Sequence, residues 1–199
     1  MNIEVRKLTP QLAEEYARFF DTTPHNDTND GAKCYCVTFC RDNVYRNGGK
    51  YWYSSQEERR LHGIQRVLDG DIQGYLAYSE GMVVGWCNSN AKTNCQLVIN
   101  NMRSRAGIPV DECSANEKVK SVFCFAIAPK MQKMGVATRL LEYVCQDAAA
   151  DGFDFVEAYT HKEFMHDGFR GTLALYKNCG FHIHAEKDGK VVVRKYLKE

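Results

Sequence analysis

The sequence predicts an α/β fold, and three observations support this class. Strand-like and helix-like segments alternate along the chain. The run Val122–Ala128 is apolar without interruption, which is typical of a strand covered on both faces. Apolar residues between Val136 and Ala148 then recur at the spacing of one helix face. A sheet with helices packed on its faces accounts for all three.

Composition indicates an ordinary globular chain. Its 199 residues include 26 Lys and Arg against 25 Asp and Glu, a net charge of +1. This balance argues against general electrostatic binding of nucleic acid, because phosphate binding needs clustered basic residues. No apolar run approaches the ~18 residues of a membrane span. We therefore expect a single domain that contacts neither nucleic acid nor membrane.

Cysteine usage points to a reducing compartment. Nine cysteines are an odd number, and they fall below the ~8–10% density of disulfide-stabilised scaffolds. The start of the chain, MNIEVRKL, lacks the apolar stretch of a signal peptide. The expected location is the cytoplasm, with the thiols reduced.

The first half predicts a strand, two helices and a hairpin. Thr9-Pro10 offers an N-cap followed by a proline at the first helical position, and Ser55 with Glu58 forms a capping box. Residues 21–53 and 89–118 carry no clear pattern. The predicted bounds are a strand over Ile3–Leu8, a helix over residues 10–20, a helix from Ser55 to near Gly70, and a hairpin of Gly74–Ser79 with Met82–Asn88.

The last third predicts three more strands and two more helices. Pro129 ends the first strand, and Gly152 and Gly180 are suited to end the helices. The predicted strands are Val122–Ala128, Phe153–Tyr159 and Val191–Leu197, and the helices are the stripe beginning at Val136 and the segment Thr172–Cys179.

The loop at residues 129–138 joins the buried strand to its helix. Gly135 allows a tight backbone turn, and the first N–H groups of the helix have no partner within it. Those groups and the helix dipole form an anion site suited to a pyrophosphate. Lys133 adds a charged contact.

Two motifs resemble those of the GCN5-related N-acetyltransferase (GNAT) family. The first is Ala-Pro-x-x-Gln-x-x-Gly-x-Ala, beginning at Ala128, followed by Leu-Leu on the helix. The second is Leu-Tyr-x-x-x-Gly-Phe, over residues 175–181. Their order and separation match the family, and the order of predicted elements agrees over nearly the whole chain.

The resemblance implies a mixed sheet splayed open between the strands at 122–128 and 153–159, with acetyl-CoA as co-substrate in the gap. It implies one N-acetyltransferase domain over residues 1–199, with an acetyl-CoA-binding core at 122–181 and a variable acceptor-side segment at 21–72. The backbone of one strand stretch would hold the pantetheine arm and the loop would hold the pyrophosphate. The residues implied are Phe125, Ala126 and Ile127 for the arm, and Lys133, Met134, Gly135, Val136, Ala137 and Thr138 for the pyrophosphate.

The family attacks the thioester directly with an amine, which needs a base for the amine proton and an acid for the leaving thiolate. Tyr176 matches the position of the family's tyrosine acid. Glu157, among apolar residues on its predicted strand, matches a glutamate base of some relatives. Other outcomes stay open, since some relatives deprotonate the amine through water. The rival bases on the following loop are His161, Glu163, His166 and Asp167.

The chain departs from the family in one contact. Many relatives carry an Asn seven residues before the tyrosine, where this sequence has Phe169. We therefore expect that contact to coenzyme A to be absent or made differently. The acceptor is expected to be a small-molecule amine or a peptide, and a homodimer stays open.

Alternative interpretations concern the cysteines and the reaction itself. Cys34, Cys36 and Cys40, with His25, suggest zinc, but Cys-x-Cys spacing instead favours thiols packed as small apolar residues, so no metal is expected. The pair Arg59-Arg60 is expected on a solvated helix face. A catalytically idle acyl-CoA-binding module and a zinc-stabilised interaction protein are the alternative functions.

Overall fold

The computed structural model describes residues 2–23, 33–100, 117–163 and 168–198. Seven strands in these ranges form one mixed sheet in the order β1-β2-β3-β4-β5-β7-β6, which confirms the α/β fold. The strands are β1 Glu4–Lys7, β2 Gly74–Ser79, β3 Met82–Ala91, β4 Val119–Ile127, β5 Phe155–His161, β6 His182–Lys187 and β7 Lys190–Tyr196.

The described helices flank this sheet. Residues 96–100 are also helical. Short 3-10 turns cover Pro10–Leu12, Lys92–Asn94, Pro129–Met131 and Gly168–Arg170. The α-helices are α1 Ala13–Thr22, α2 Asp42–Arg46, α3 Gln56–Leu68, α4 Val136–Ala150 and α5 Leu173–Asn178.

Two predicted helix starts are set by side-chain caps. The Ser55 hydroxyl accepts the Glu58 amide at 3.0 Å and begins α3. The Thr172 hydroxyl accepts the Leu175 amide at 3.1 Å and begins α5. Each hydroxyl satisfies a backbone donor that the helix leaves unpaired.

The sheet opens between β4 and β5. These strands are parallel, and their pairing runs only from Val119 opposite Phe155 to Val122 opposite Ala158. β4 continues to Ile127 beside β3 alone, while β5 continues to His161 beside β7 alone. The predicted splay is therefore confirmed at the predicted pair of strands.

Helix α4 packs tightly on one face of the sheet. Leu140, Leu141 and Val144 are fully buried there. Gly85 on β3 makes the close approach feasible, because a Cβ at that position would lie 2.7 Å from Cγ1 of Val136. This packing fixes the start of α4 against the end of β4.

The opposite face is covered by α1, α3 and the segment 33–54. Two arginines of α3 hold this segment: Arg59 donates to the carbonyls of Lys33 and Tyr53, and Arg66 donates to those of Val37 and Lys50. Arg59 is buried, so its expected place on a solvated face is wrong. Its charged hydrogen bonds compensate its removal from water.

Some elements differ from the predicted bounds. β4 begins three residues before the predicted start at Val122, and β5 covers Phe155–His161 rather than Phe153–Tyr159. Strand β6 and helix α2 were not predicted at all. β6 is an edge strand exposed on both faces, so it carries no apolar alternation.

Candidate functional site

The loop between β4 and α4 forms an open backbone cradle. Gly135 is the N-cap of α4, with φ of +83°, and Lys133 is also left-handed, with φ of +61°. The first helical hydrogen bond runs from the amide of Arg139 to the carbonyl of Gly135. The amides of residues 136–138 therefore begin the helix without a carbonyl partner within it.

The cradle faces solvent. Residues 132–135 are exposed, and Met134 retains 51% of its accessible surface. A Cβ built on Gly135 meets nothing within 4 Å. A turn with positive φ, an open approach and unpaired amides at the positive end of a 15-residue helix has the chemistry of a phosphate site.

The gap beside β4 leads from this cradle into the sheet. Residues 124–127 pair with β3 on one side, and residues 123–127 pair with no described strand on the other. Phe125 is buried, whereas Ala126 and Ile127 are partly exposed. An extended chain that enters the gap would find strand-like backbone donors and acceptors.

A β-bulge marks the inner end of the gap. Asn88 of β3 faces Cys124 and Ser89 faces Val122, which leaves Phe123 without a partner of its own. The Phe123 ring stacks on Tyr159 with centroids 6.2 Å apart. Bulges commonly redirect side chains beside active sites.

Tyr176 lies on α5 and is almost fully buried. Its hydroxyl donates to the carbonyl of Arg170 at 2.7 Å. Its ring packs against Phe125 and Phe181, with centroids 6.4 and 5.3 Å away. Burial raises the pKa of the Tyr176 phenol well above its ordinary value, so the hydroxyl keeps its proton at neutral pH.

Glu157 lies in the sheet with no accessible surface, and it contacts two cations. Arg194 of β7 places Nε and Nη2 each 2.7 Å from Oε2 of Glu157. Lys92 places Nζ 3.0 Å from Oε1, and the lysine is itself 2% exposed. Two cations at contact distance favour the ionised carboxylate even though it is buried.

Two hydroxyls extend this cluster across the sheet. The Tyr159 hydroxyl donates to Oε1 of Glu157 at 2.7 Å and lies 3.1 Å from the Ser121 hydroxyl. The predicted site residues did not include Lys92, Ser121, Tyr159 or Arg194. The i, i+2 spacing of Glu157 and Tyr159 on a strand could have indicated that Tyr159 lies near Glu157, because this spacing places both side chains on one face.

The rival bases lie at and beyond the end of β5. His161 ends β5, and Glu163 is exposed beyond it. His166 and Asp167 lie outside the described residues, as does His25. Phe169, where relatives carry Asn, packs against Phe39 with centroids 6.2 Å apart.

The thiols of the 33–40 segment have separate partners. Sγ of Cys36 lies 2.9 Å from Sγ of Cys124 and accepts the indole N–H of Trp86. Cys40 instead contacts the hydroxyl of Tyr45 and the guanidinium of Arg66. Within the described ranges, no group of three His, Cys, Asp or Glu side chains is arranged to hold a metal ion.

Comparisons with known proteins point to one family. A family model described as the acetyltransferase (GNAT) family matches residues 41–181. A GNAT-family acetyltransferase structure from Streptococcus pneumoniae is 15% identical, with a TM-score of 0.55, and the match covers 99% of this chain and 100% of that one. No curated protein matches the chain.

Two further structures of the same fold were solved with ligands. The PaiA N-acetyltransferase of Thermoplasma acidophilum, in complex with coenzyme A, is 14% identical with a TM-score of 0.52 over 98% of this chain and 99% of that one. The yncA protein of Salmonella typhimurium, with acetyl-CoA, is 14% identical with a TM-score of 0.53 over 100% and 96%. At this identity the likeness establishes the fold.

None of the helices in the described part of the chain has the length and apolarity to cross a membrane.

Proposed function

Because the chain belongs to the GNAT acetyltransferase family, we propose that it transfers the acetyl group of acetyl-CoA to a primary amine. The acceptor is a small-molecule amine or a peptide. The chain acts as one domain over residues 1–199 in the cytoplasm, with residues 122–181 binding acetyl-CoA and residues 21–72 on the acceptor side.

The observation that carries this proposal is the open cradle at the end of β4. Its amides and the α4 dipole suit a diphosphate, and the adjoining unpaired stretch of β4 suits the pantetheine arm. The proposed arm contacts are Phe125, Ala126 and Ile127, and the proposed diphosphate contacts are Lys133, Met134, Gly135, Val136, Ala137 and Thr138. The coenzyme A and acetyl-CoA complexes of PaiA and yncA support the same use of the fold.

The reaction follows from where this arrangement leaves the thioester. The amine nitrogen attacks the carbonyl carbon, the C–S bond breaks, and the thiolate takes a proton. Tyr176 is the proposed proton donor to sulfur, since burial keeps its phenol protonated. For that step the hydroxyl has to exchange its bond to the Arg170 carbonyl for one to sulfur. Glu157 is the proposed final acceptor of the amine proton.

Thiol release from acetyl-CoA with a panel of amines tests the proposal. The panel includes arylalkylamines, amino acids, polyamines and lysine peptides, with hydrolysis in the absence of amine as the baseline. Release that depends on one class of amine, together with an acetylated product detected by mass, supports the enzyme. Tight coenzyme A binding without any acceptor-dependent release would instead support an idle acyl-CoA-binding module.

A further inference from the structure

A buried polar cluster lies where β4 and β5 separate. It consists of Glu157 and Tyr159 on β5, Ser121 on β4, Lys92 after β3 and Arg194 on β7. All five side chains are at least nine-tenths buried. A buried carboxylate paired with two cations seldom stabilises a fold more than apolar residues of similar volume would. Stability alone therefore does not explain this cluster, which indicates a functional role.

The position of Tyr159 connects this cluster to the gap. Ala158 is the last β5 residue paired with β4, and Tyr159 is the next one along. Its ring stacks on Phe123, the bulged residue at the inner end of the gap. An arm that starts at the cradle after Ile127 and follows β4 inward ends beside these two rings. This position of the arm rests on the proposed function.

The hydrogen bonds of Tyr159 are arranged for proton transfer. Its hydroxyl hydrogen points to Oε1 of Glu157 at 2.7 Å, so its oxygen can accept another proton. Glu157 has no accessible surface of its own and cannot meet an acceptor molecule directly. Tyr159 is the cluster member whose ring reaches the bulge, so its side chain runs from the inner end of the gap to the carboxylate.

We propose that Tyr159 is a catalytic residue that receives the proton of the attacking amine and passes its own to Glu157. As the N–C bond forms, an amine N–H proton moves to Oη of Tyr159, and the phenolic proton moves to Oε1 of Glu157. The electron pair of the broken C–S bond stays on sulfur, which is protonated by Tyr176. After product leaves, Glu157 releases its proton to solvent and the Tyr176 phenolate takes one up, so protons and charge balance over the cycle.

The two cations define the role of the carboxylate. Lys92 and Arg194 hold Glu157 in place and stabilise its negative charge. They also disfavour a second cation nearby, so the acceptor reacts as the neutral amine. Both residues are positioning residues in this scheme, because they contact Glu157 rather than the reacting atoms.

Tyr159→Phe is the direct test, since it removes one oxygen and keeps the ring that stacks on Phe123. We expect kcat for the best amine of the panel to fall by about 100-fold, with the dissociation constant for coenzyme A unchanged. Adding Glu157→Gln to Tyr159→Phe should cause little further loss, because both lie on one proton route. Tyr196→Phe, at an exposed tyrosine on β7, is the matched control and should retain wild-type kcat.

A Tyr159→Phe variant that folds, binds coenzyme A and keeps a kcat within about twofold of wild type would overturn the proposal. If the wild type itself releases no thiol with any amine, the proposed function fails first, which is a separate result. Should Tyr159→Phe not fold, single-turnover transfer by Tyr176→Phe in mixtures of H₂O and D₂O decides, because that variant removes the proton donated to sulfur. A slower rate with a curved dependence on deuterium content supports a two-proton route, whereas equal rates or a linear dependence contradict it.

Discussion

The apolar surroundings of Tyr176 keep its phenol protonated. It is 1% exposed, and its neighbours Phe125 and Phe181 are apolar. Removing a phenolate from water is costly, so burial holds the pKa of Tyr176 well above its ordinary value. A hydrogen bond from this phenol stabilises the thiolate that forms as the C–S bond breaks.

Replacing Tyr176 with Phe should therefore slow the chemical step and spare binding. We expect kcat to fall by roughly 100-fold while the dissociation constant for coenzyme A stays constant. Thiol release and calorimetry measure the two quantities. Tyr143→Phe on α4, at a tyrosine whose ring packs against Tyr75, is the control. An unchanged kcat in Tyr176→Phe would remove the Tyr176 hydroxyl from the mechanism.

The start of α4 combines a left-handed glycine with open space around it. Gly135 takes φ of +83° at the N-cap of α4, and Gly152 takes φ of +76° just beyond its C-terminus. A Cβ at either position meets nothing within 4 Å. The two glycines therefore impose similar backbone strain on substitution, but only Gly135 borders the proposed phosphate site.

This pair gives a matched test of the cradle. Gly135→Leu and Gly152→Leu should each destabilise the fold by about 1 kcal/mol, because a side chain disfavours positive φ. Gly135→Leu should in addition weaken coenzyme A binding at least tenfold, since its side chain occupies phosphate space. Thermal unfolding and calorimetry separate the two effects. Equal coenzyme A affinity in both variants would place the phosphates elsewhere.

The elements also show which structural features a sequence pattern reveals. The strand–loop–helix unit at 119–150 was predictable because its apolar periodicity and glycine report local geometry. Strand β6 was not, because an exposed edge strand needs no apolar face. The cluster around Glu157 was not predictable either, since Lys92, Ser121 and Arg194 reach it from three other elements. Contacts between different elements leave no spacing in the sequence, which is also why Arg59 was misplaced.

The molecule as a whole buries many thiols and phenols. Burial raises the pKa of the Cys145 thiol to about 12 and raises those of other groups further. In unfolded chains these thiols and phenols titrate near 8.5 and 10. The additional groups with strongly raised values include Cys36, Cys87, Tyr16 and Tyr176.

This pattern predicts a loss of stability at alkaline pH. A raised pKa means that the folded state keeps a proton that the unfolded state releases, so the contribution is complete below pH 8.5 and is lost above it. Each group lowers the free energy of unfolding by up to about 1.4 kcal/mol per pH unit once its unfolded form ionises. Urea unfolding under reducing conditions from pH 7.5 to 11 should show a steepening decline. A flat profile would mean that these side chains are not buried as described.

Calorimetric titration of the folded wild-type protein with coenzyme A, and in parallel with pantetheine, tests the central claim most directly. Pantetheine carries the arm without the diphosphate. Binding through the amides after Pro129 predicts a clear heat with coenzyme A and an affinity for pantetheine at least tenfold lower, equivalent to about 1.4 kcal/mol. No heat with coenzyme A, or equal affinity for both compounds, would contradict the account.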